Sequence, residues 1–483
     1  MISFFTKTPK SLSVLKNNHN NLIFLKCRKF SSTSNNNTNN NNTVEKISNI
    51  KAYINFQKIK ENAKEIQENA QKRKSNVDIQ SIVSLYEKYR GVKYDLDQMR
   101  QNRNIVANKM KSVKDQQERL KLIEEGKEWK EKVSDAEIQH FTLQQELQNE
   151  ALKIPNDTHP QAPVGPESNA RVIEMVGEKP HFDFKIKDHL EIGEQLGLIK
   201  SANQISGAKY YYFTREAAML EMALSYWAYS KMTYKYGFTP IVTPDLIHPS
   251  YAEACGFQPR SDASQMFWIK NEDLCLTATS EIPLAALYAN NNSIIHLEDL
   301  PIKMVGYSHC FRSETGGGQY NKGIYRVHQF SKVEMFVISK PSLETSNDIL
   351  NELLQIQIEI FKELGLHFRV LDMPTEDLGA PAYRKYDIEV WIPSRQDYGE
   401  ISSASNCTDY QSKRLNMKIQ DFQAENSETL FVHTLNATAC AIPRLILAIL
   451  ENNQQPDGSI IIPPVLRPLM NNQERIIPPQ SQQ

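Results

Sequence analysis

The chain has 483 residues, about three times the length of a typical single domain, so two or three folding units are expected. Hydrophobic residues make up 40% of it and aromatic residues 9%, which is enough for packed cores and excludes a wholly disordered protein. The 56 Lys and Arg against 57 Asp and Glu leave almost no net charge, so any nucleic-acid surface must be a local patch. No apolar stretch approaches the length of about 18 residues that a membrane-spanning helix needs, so we expect no membrane partner. The six cysteines are scattered without a C-x-x-C pair, which argues against a zinc ribbon or a disulfide framework.

The first 44 residues have the composition of a targeting peptide. They contain basic residues but no acidic residue before Glu45, and apolar residues are interspersed with Ser and Thr. This composition is typical of a mitochondrial or plastid transit peptide. The run from Asn35 to Asn42 predicts a disordered spacer. We therefore expect residues 1–44 to be a transit peptide and spacer that direct the chain to the mitochondrial matrix. The alternative is a disordered tail on a cytosolic protein.

Apolar residues repeat at heptad spacing between about residues 75 and 152. One seam runs through Leu85, Tyr89, Val92, Leu96, Met99, Arg103, Val106, Met110 and Val113, and a second through Trp129, Val133, Ala136, His140, Leu143 and Leu147. The polar stretch Lys114–Glu118 lies between them and is long enough to reverse the chain. The pattern predicts an antiparallel coiled-coil hairpin, whose first helix, from about Ser81 to Lys114, would be about 50 Å long.

The end of the first predicted helix is basic. Residues 98–114 contain no acid and carry Arg100, Arg103, Lys109, Lys111 and Lys114. Such a surface is either a solvated helix face or a surface that binds nucleic-acid phosphates. Composition alone leaves both interpretations open.

A proline-rich segment separates the helical region from the rest of the chain. Residues 153–170 contain four prolines and predict a linker or an extended crossing segment. Short strands mixed with helices follow to about residue 470, and the polar residues after them predict disorder. The sequence therefore predicts an arm over residues 45–155, a body over 156–470 and a disordered tail over 471–483.

A β-hairpin is predicted over residues 309–337, on either side of the loop Gly316–Gly318. Because side chains alternate, one surface would carry Arg312 and Glu314 from the first strand and Arg326, His328, Phe330, Lys332 and Glu334 from the second. Arginine suits a multidentate contact with phosphate oxygens, an aromatic ring can stack on a base, and an acid can accept a hydrogen bond from an amine. The hairpin is therefore either a nucleotide-binding surface or a salt-bridged sheet face.

Three further segments carry polar groups beside predicted helices or strands. Thr277–Glu281 opens a short helix, with Ser280 or Thr279 as its candidate N-cap. Glu400–Cys407 combines a carboxylate with hydroxyl groups, which are oxygen ligands suited to Mg²⁺ beside phosphates. Asn436–Arg444 leads into an apolar helix, so its arginine lies near a helix N-terminus, where an anion is favoured.

In chain order, these segments resemble the class II aminoacyl-tRNA synthetases, and together with the helical hairpin they resemble the seryl-tRNA synthetases. Gly237–Pro240 with Pro244 is similar to motif 1, the dimer-interface element, Phe311–Glu314 with Val327–Phe330 and Glu334 to motif 2, and Asn436–Arg444 to motif 3. The resemblance covers about residues 48–470. It implies an α+β fold, in which an antiparallel β-sheet catalytic domain is flanked by helices and preceded by an antiparallel helical coiled-coil arm. The family usually has Ala where this chain has Ser280, often Ser where it has Thr438, and Gly-Leu-Ala before the motif 3 arginine, where residues 438–443 read TACAIP.

The resemblance also implies roles for individual residues. The catalytic cations would be Arg312, Arg326 and Arg444, of which the first would hold both the ATP α-phosphate and the serine carboxylate. ATP would be bound by Arg312, Ser313, Glu314, Val327, His328, Gln329, Phe330, Glu400, Ile401, Ser402 and Ser403, with Glu314 on the adenine amine and Phe330 stacked on the ring. Serine would be bound by Thr279, Ser280, Glu281, Glu334, Asn436 and Thr438. Glu400 would ligate Mg²⁺, and Arg100, Lys109, Lys111 and Lys114 would bind tRNA.

The implied activity is ligation of L-serine to tRNA(Ser) by a homodimer that uses ATP, for organellar protein synthesis. One alternative is another class II synthetase, for threonine or proline, which the basic arm and the absence of an obvious extra anticodon-binding domain disfavour. A second alternative is a synthetase-like binding protein without catalysis. The presence of Arg312, Glu334 and Arg444 disfavours it.

Overall fold

The structure is a computed structural model that describes residues 52–257, 265–291, 295–314, 322–419 and 430–478. The predicted transit peptide and spacer lie outside these residues. The helices are Phe56–Glu61 (α1), Ala63–Lys72 (α2), Ile79–Ser112 (α3), Gln116–Leu152 (α4), His189–Gln195 (α5), Glu216–Tyr234 (α6), Pro249–Ala254 (α7), Glu281–Ala286 (α8), Leu343–Glu363 (α9), Tyr410–Leu415 (α10) and Ile442–Asn452 (α11). None of them is long and apolar enough to cross a membrane.

The strands are Arg171–Val176 (β1), Ile199–Ser201 (β2), Tyr211–Phe213 (β3), Thr239–Val242 (β4), Leu246–Ile247 (β5), Cys275–Leu276 (β6), Ile302–Phe311 (β7), Gln329–Ser339 (β8), Phe368–Asp372 (β9), Arg384–Ile392 (β10), Asp397–Thr408 (β11), His433–Ala441 (β12), Ile460–Ile461 (β13) and Arg475–Ile476 (β14). Eight of them form one sheet in the order β1-β9-β10-β11-β12-β8-β7-β4. Its pairs are antiparallel except for β4 with β7. The predicted α+β fold with an antiparallel sheet is confirmed.

Helices α3 and α4 form the predicted antiparallel hairpin. At its base Ile79 and Ile82, at the start of α3, pack against Leu147 and Ala151, at the end of α4. Further along, Leu96 packs with Val133 and Ala136. The seam side chains are therefore buried or half-buried, because each helix covers the apolar stripe of the other.

The predicted bounds of the hairpin were off at both the start and the turn. Helix α3 begins at Ile79, where the side chain of Asp78 accepts hydrogen bonds from the first turn. The reversal takes only Val113–Asp115, not the whole polar stretch to Glu118, because the Asp115 side chain accepts the Glu118 N–H at 2.8 Å and starts α4 at once. Helices α1 and α2, which the sequence analysis did not predict, precede the hairpin and pack against α3.

The two faces of the large sheet differ. Helices α6, α9 and α11 pack with apolar side chains of one face into the main core, which includes Val333 and Met335 of β8 and Leu435 and Ala437 of β12. Because side chains alternate along a strand, the neighbouring residues of β8, β10 and β12 face the other way. These are Lys332, Glu334, Lys385, Asp387, Asn436 and Thr438, and they are polar. The candidate site lies on that second face.

The predicted hairpin over residues 309–337 exists, but its strands are shorter than expected. Strand β7 ends at Phe311 and β8 begins at Gln329, so Arg312, Glu314, Arg326 and His328 lie beyond the strand ends. The next backbone pair is only half formed, because the His328 carbonyl oxygen accepts the Arg312 N–H at 2.9 Å but the His328 N–H donates to the carbonyl oxygen of Lys209 at 3.1 Å. The predicted common strand face therefore holds only for Phe330, Lys332 and Glu334.

The predicted disorder from Asn471 onwards is wrong as far as β14. This strand pairs with β13, Ile460 opposite Ile476, and the Ile476 side chain is fully buried. A strand of two residues is too short to produce an apolar alternation that the sequence analysis could detect. The body therefore extends beyond the predicted boundary at residue 470.

Candidate active site

A cleft of about 150 Å³ lies on the polar face of the sheet. It is lined by Arg312, Glu314, Ile324, Tyr325, Arg326, Val327, Phe330, Lys332, Lys385, Glu400, Ile401, Ser402, Ser403, Thr438, Ala441, Pro443 and Arg444. The structure thus brings together all three predicted catalytic arginines and most of the predicted ATP-binding residues. Ser313, His328 and Gln329 do not line this cleft.

Glu400 and Tyr325 hold Arg444 at one end of the cleft. Helix α11 begins at Ile442 with proline in its first turn, which places Arg444 beside the helix N-terminus as predicted. Its guanidinium lies 3.1 Å from the Glu400 carboxylate, donates to the carbonyl oxygen of Tyr325 at 3.2 Å, and stacks over the Tyr325 ring. Burial by itself would raise the pKa of Glu400, but Arg444, Lys385 and Arg312 together lower it to about 2. Glu400 is therefore an anion at physiological pH, surrounded by cations.

The other end of the cleft is built on the two limbs of the motif 2 loop. Arg326 Nε lies 2.7 Å from the Glu314 carboxylate, which ties one limb to the other. Arg312 stacks over the Phe330 ring at 5.3 Å and donates from Nε to the carbonyl oxygen of Ala278, at 3.4 Å. His328 supports this arrangement from outside the cleft, because its Nδ1 donates to the carbonyl oxygen of Arg312 at 2.8 Å. An arginine, an aromatic ring and an acid therefore lie together as the sequence predicted.

Beside the cleft lies a buried network of acids, a lysine and hydroxyls. Lys332 Nζ contacts the Glu334 carboxylate at 2.6 Å and donates to the Thr279 hydroxyl at 2.8 Å. The Thr438 hydroxyl donates to the same Glu334 oxygen at 2.9 Å. These contacts place three predicted serine-binding residues, Thr279, Glu334 and Thr438, around one ammonium group.

Glu281 is the second buried acid of this region. Its Oε1 accepts hydrogen bonds from Gln411 Nε2 at 2.6 Å and from Asn436 Nδ2 at 3.0 Å. Burial and the nearby Glu334 carboxylate raise the pKa of Glu281 to about 7, although Gln411, Lys332 and Arg312 oppose them. The carboxyl group therefore changes its charge close to neutral pH.

The turn that presents Glu281 uses one of the two predicted N-cap side chains. The Thr279 side chain, and not that of Ser280, accepts the Glu281 N–H, at 3.3 Å. The Ser280 hydroxyl is buried and has no protein partner among the described residues. Ser280 also lies directly behind Gly306 of β7, where an added Cβ would come within 3.0 Å of it. The predicted contact of Ser280 with a substrate has no support in its contacts here.

A larger cavity of about 660 Å³ adjoins the cleft. Arg312 and Lys385 line both spaces, and Glu281 and Asn436 line the cavity alone. One wall of the cavity is the loop Asp377–Ala382, with Cys407 from β11 nearby. The cleft and the cavity therefore meet at Arg312.

Several residues of the site were missed in the sequence. Lys385 contacts the carboxylates of Asp387 and Asp377, each at 2.9 Å, and Gln411 and Tyr325 make the contacts given above. The signal for Lys385 and Asp387 was present, because together with Glu389 they are charged residues at alternate positions of β10. For Gln411 and Tyr325 the local sequence gives no comparable signal.

The structure also tests whether a resident metal cluster is present. Among the described residues, no three His, Cys, Asp or Glu side chains come together as metal ligands. Glu400, which pairs with Arg444, and the hydroxyl-bearing Ser403 are among the oxygen-bearing residues that line the cleft. This donor set fits a Mg²⁺ ion that keeps waters and takes its other ligands from phosphates.

The predicted tRNA-binding residues lie on the arm, away from the cleft. Lys109, Lys111 and Lys114 are exposed to solvent. Arg100 instead contacts the Glu137 carboxylate of α4 at 2.8 Å and lies 3.6 Å from that of Asp97. The arm therefore presents free lysines near its tip and a paired arginine further down.

Comparisons with known proteins agree with this geometry. Residues 53–158 match the seryl-tRNA synthetase N-terminal domain, and residues 267–453 match the tRNA synthetase class II core domain (G, H, P, S and T). The mouse mitochondrial serine--tRNA ligase is 42% identical over 83% of this chain and 79% of its own length. The serine--tRNA ligase of Treponema denticola is 42% identical over 86% of this chain and 98% of its own length.

A solved structure extends the comparison to the fold. The crystal structure of seryl-tRNA synthetase from Pyrococcus horikoshii complexed with ATP has a TM-score of 0.79, at 32% identity, over 88% of this chain and all of that one. The similarity thus spans the arm, the sheet and the cleft in a single alignment. The chain belongs to the seryl-tRNA synthetases, the class II enzymes that ligate serine to tRNA at the expense of ATP.

Proposed function

We propose that this chain joins L-serine to tRNA(Ser) in two steps, both at the place where the cleft and the cavity meet. In the first step the serine carboxylate attacks the α-phosphorus of ATP, which forms seryl-adenylate and releases pyrophosphate. In the second step the 3′-hydroxyl of the terminal ribose attacks the carbonyl carbon of the adenylate, and AMP leaves. Positioning and charge stabilisation are sufficient for both steps, so no covalent enzyme intermediate is required.

The observation that carries this proposal is the position of Arg312. It lies over Phe330 in the cleft and also borders the cavity that contains Glu281. A guanidinium there can contact the α-phosphate and the serine carboxylate at once, because its planar donors suit both groups. Phe330 would stack on adenine, and the Glu314 carboxylate would accept from the adenine amine after exchanging its contact with Arg326.

The outer phosphates would be held by Arg326 and Arg444. The pairing of Arg444 with Glu400 fixes the guanidinium at the helix N-terminus, where anions are favoured. Glu400, with Ser403 nearby, would hold Mg²⁺, which would neutralise phosphate charge when bound. The low pKa of Glu400 keeps that ligand ionised.

Serine selection would take place in the buried network. Ionised Glu281 would attract the serine ammonium, and Glu334 and Thr438 would contact the hydroxyl group, with Thr279 and Asn436 close by. Alanine would leave these polar groups unpaired, which is costly because they are buried. If Glu334 contacted the substrate in place of Lys332, the network would still contain the same positive and negative charges.

The decisive experiment is ATP–pyrophosphate exchange by the purified chain with each amino acid separately. We expect exchange with serine, and little with alanine, threonine or proline. Exchange driven by threonine or proline would instead favour another class II specificity. Absence of exchange with all four by a folded chain would indicate a binding protein.

The exposed face around motif 1 supports a homodimer. Met222 and Tyr226 of α6 and Val242 of β4, the edge strand of the sheet, are exposed apolar residues that line part of a cavity of about 450 Å³. Apolar surface at an open strand edge is unusual on a monomer. Val242→Asp should shift sedimentation from dimer to monomer, and a wild-type chain that sediments as a monomer would contradict the proposal.

The proposed location is the mitochondrial matrix. The mouse and bovine mitochondrial serine--tRNA ligases, at 42% and 41% identity, support it together with the acid-free leader, which lies outside the described residues. Fusing residues 1–44 to a fluorescent reporter tests this directly. A reporter that stays diffuse in the cytosol would contradict it.

A further inference from the structure

Arg73 is a buried cation outside the site described above. It directly follows α2, before the coiled-coil arm, and only 8% of its surface is exposed. Burial lowers the pKa of Arg73 to about 10, still far above physiological pH, so the guanidinium stays charged. A buried charge of this kind requires a specific set of acceptors.

The acceptors of Arg73 are backbone carbonyl oxygens and one hydroxyl group. On one side they belong to the segment that leaves the arm, the carbonyl oxygens of Asn156 and Asp157 and the Thr158 hydroxyl. On the other side they are the carbonyl oxygens of Leu378, Gly379, Ala380 and Ala382. One guanidinium therefore joins two backbone segments that are more than two hundred residues apart in the chain.

Neighbouring contacts join the same two segments. The Asn156 N–H donates to the carbonyl oxygen of Ala380 at 2.9 Å, and Asn156 Nδ2 donates to that of Pro381 at 2.8 Å. Lys74, next to Arg73, contacts the Glu376 carboxylate at 2.6 Å. These contacts form one continuous junction between the base of the arm and residues 376–382.

The second segment is a wall of the active site. Gly379, Ala380, Pro381 and Ala382 line the cavity of about 660 Å³ that meets the ATP cleft at Arg312. The terminal ribose of a bound tRNA must reach the adenylate carbonyl at this meeting point, while the rest of the tRNA is held by the arm. Because the cavity wall is fixed to the arm domain, the place that receives the terminal ribose keeps a constant position relative to the arm that holds the rest of the tRNA.

We propose that Arg73 is a positioning residue for the transfer step, which holds the cavity wall at residues 378–382 against the base of the tRNA-binding arm. The inference rests on the proposed function. Arg73 lines neither the cleft nor the cavity, so it should not affect activation. A planar guanidinium has five fixed donors that can serve both segments, whereas a lysine has three donors on a single atom.

Two substitutions and three measurements test the proposal. Arg73→Lys retains the charge, and Arg73→Met removes every donor. In both variants we expect serine-dependent exchange and tRNA affinity to stay within about twofold of wild type. Single-turnover transfer from preformed seryl-adenylate should fall about threefold in Arg73→Lys and at least about tenfold in Arg73→Met, since small displacements of reacting groups lower rates strongly.

Arg414 provides a matched control. It lies at the same junction, and its guanidinium donates to the carbonyl oxygens of Leu152, Ile154 and Tyr410, none of which lines the cavity. Arg414→Met should lower the unfolding temperature as Arg73→Met does, yet transfer serine at the wild-type rate. A purely structural role would make the two variants alike.

Three results would overturn the proposal. They are wild-type transfer in folded Arg73→Lys, an equal loss of transfer in Arg414→Met, and a parallel loss of exchange and transfer in either Arg73 variant. Arg73→Lys decides the matter if Arg73→Met does not fold. Failure of the proposed function would show itself separately, because the wild-type chain would then neither exchange pyrophosphate with serine nor aminoacylate tRNA.

Discussion

The arm and the active-site cleft both carry clustered positive charge, but they hold it differently. Lys109, Lys111 and Lys114 project into solvent from the tip of the arm. In the cleft, Arg326 and Arg444 are each paired with an acid of the site, and nearby Lys332 is paired in the same way. The three lysines at the tip form no ion pair with a described residue, whereas these three cations of the site are each paired with an acid before any substrate arrives.

The difference follows from solvent. An exposed lysine needs no partner because water solvates it, and its attraction to phosphate is weakened by salt. A buried cation without a partner would destabilise the fold, so the largely buried Arg444 and Lys332 are each held in place by an acid, Glu400 and Glu334. We therefore expect single substitutions in the cleft to have large, salt-insensitive effects, and those in the arm to have small, salt-dependent effects.

The largest effect should come from Arg312. Arg312→Ala removes the guanidinium that borders both the cleft and the cavity, and we expect serine-dependent exchange to fall at least about a hundredfold, the scale for losing a charged donor in the transition state. Arg171→Ala is a suitable control, because Arg171 pairs with Asp372 at the far edge of the sheet and should leave exchange unchanged. Near-normal exchange by folded Arg312→Ala would remove the basis for the proposed motif 2 chemistry.

A second effect, of about tenfold, concerns Glu281 and pH. Burial and Glu334 raise the pKa of Glu281 to about 7, against Gln411, Lys332 and Arg312, so the free protein loses the negative charge as the pH falls through that value. The KM for serine should then rise by up to about tenfold per pH unit below 7, because the neutral acid no longer attracts the ammonium group. Exchange measured from pH 6 to 8 at saturating ATP checks this.

Glu281→Gln is the control for the pH profile. Its amide oxygen can still accept from Gln411 and Asn436, so the local packing is retained, but its KM should be high and should not show this ionisation. Because the pKa of Glu281 in the folded state is above its ordinary value, the wild-type protein loses stability as the pH rises through 7. The Glu281→Gln variant should not lose stability in this way. If the KM for serine and the unfolding temperature of the wild-type protein changed with pH just as those of the variant do, Glu281 would not ionise in this range.

The sequence predicted the arm and the arginines of the cleft better than the network between them. A heptad repeat is a periodic signal over many turns, so both seams were predictable although the helix ends were not. Arg312, Glu314 and Arg444 lie within contiguous motifs. Gln411 reaches Glu281 from a position 130 residues away in the chain, and only folding brings the two together.

Ser280 and the C-terminal tail show why the remaining predictions were wrong or stayed untested. Ser280 lies between two predicted serine-binding residues in sequence, but its hydroxyl faces Gly306 because successive residues of a turn point in different directions. The tail was predicted from composition, which does not show that one buried isoleucine suffices to add a strand to β13. A local sequence pattern shows which residue types are present. The direction of a side chain and the pairing of distant strands depend on tertiary packing.

A third effect, of a few fold, should appear on the arm. Replacing Lys109, Lys111 and Lys114 with Gln should raise the KM for tRNA about threefold to tenfold and reduce the salt slope of binding by about one for each phosphate that is no longer neutralised. Exchange should be unchanged, because these side chains are remote from the cleft.

Lys121, Lys127 and Lys130 of α4 form a matched exposed triple. Their replacement with Gln should change neither the KM for tRNA nor the salt slope of binding. Unchanged affinity and slope in the first triple would show that the tip is a solvated coiled coil.

The smallest effect should come from the paired arginine of the arm. Arg100 and Glu137 are about half exposed and 2.8 Å apart, so a double-mutant cycle should give a coupling of only about 0.2–1 kcal/mol. Arg100→Gln should therefore weaken tRNA binding less than Lys109→Gln, because the guanidinium already contacts an acid. Glu137→Gln should strengthen tRNA binding by about twofold, since it frees a cation and removes a negative charge from the same surface.

Whether Glu137→Gln strengthens or weakens tRNA binding distinguishes the two ways in which the arm and the cleft position their cations. On the arm, removing the acidic partner should improve the ligand's binding, because Arg100 is already solvated and keeps its position on the helix without Glu137. In the cleft, the corresponding change is Glu400→Gln, which should weaken ATP binding, because Arg444 would lose the group that positions it at the start of α11 and the site would lose its proposed Mg²⁺ ligand. Binding titrations of the two single variants measure both signs. If Glu137→Gln weakened tRNA binding, Arg100 would also depend on its acid for position, and the arm and the cleft would hold their cations by the same means.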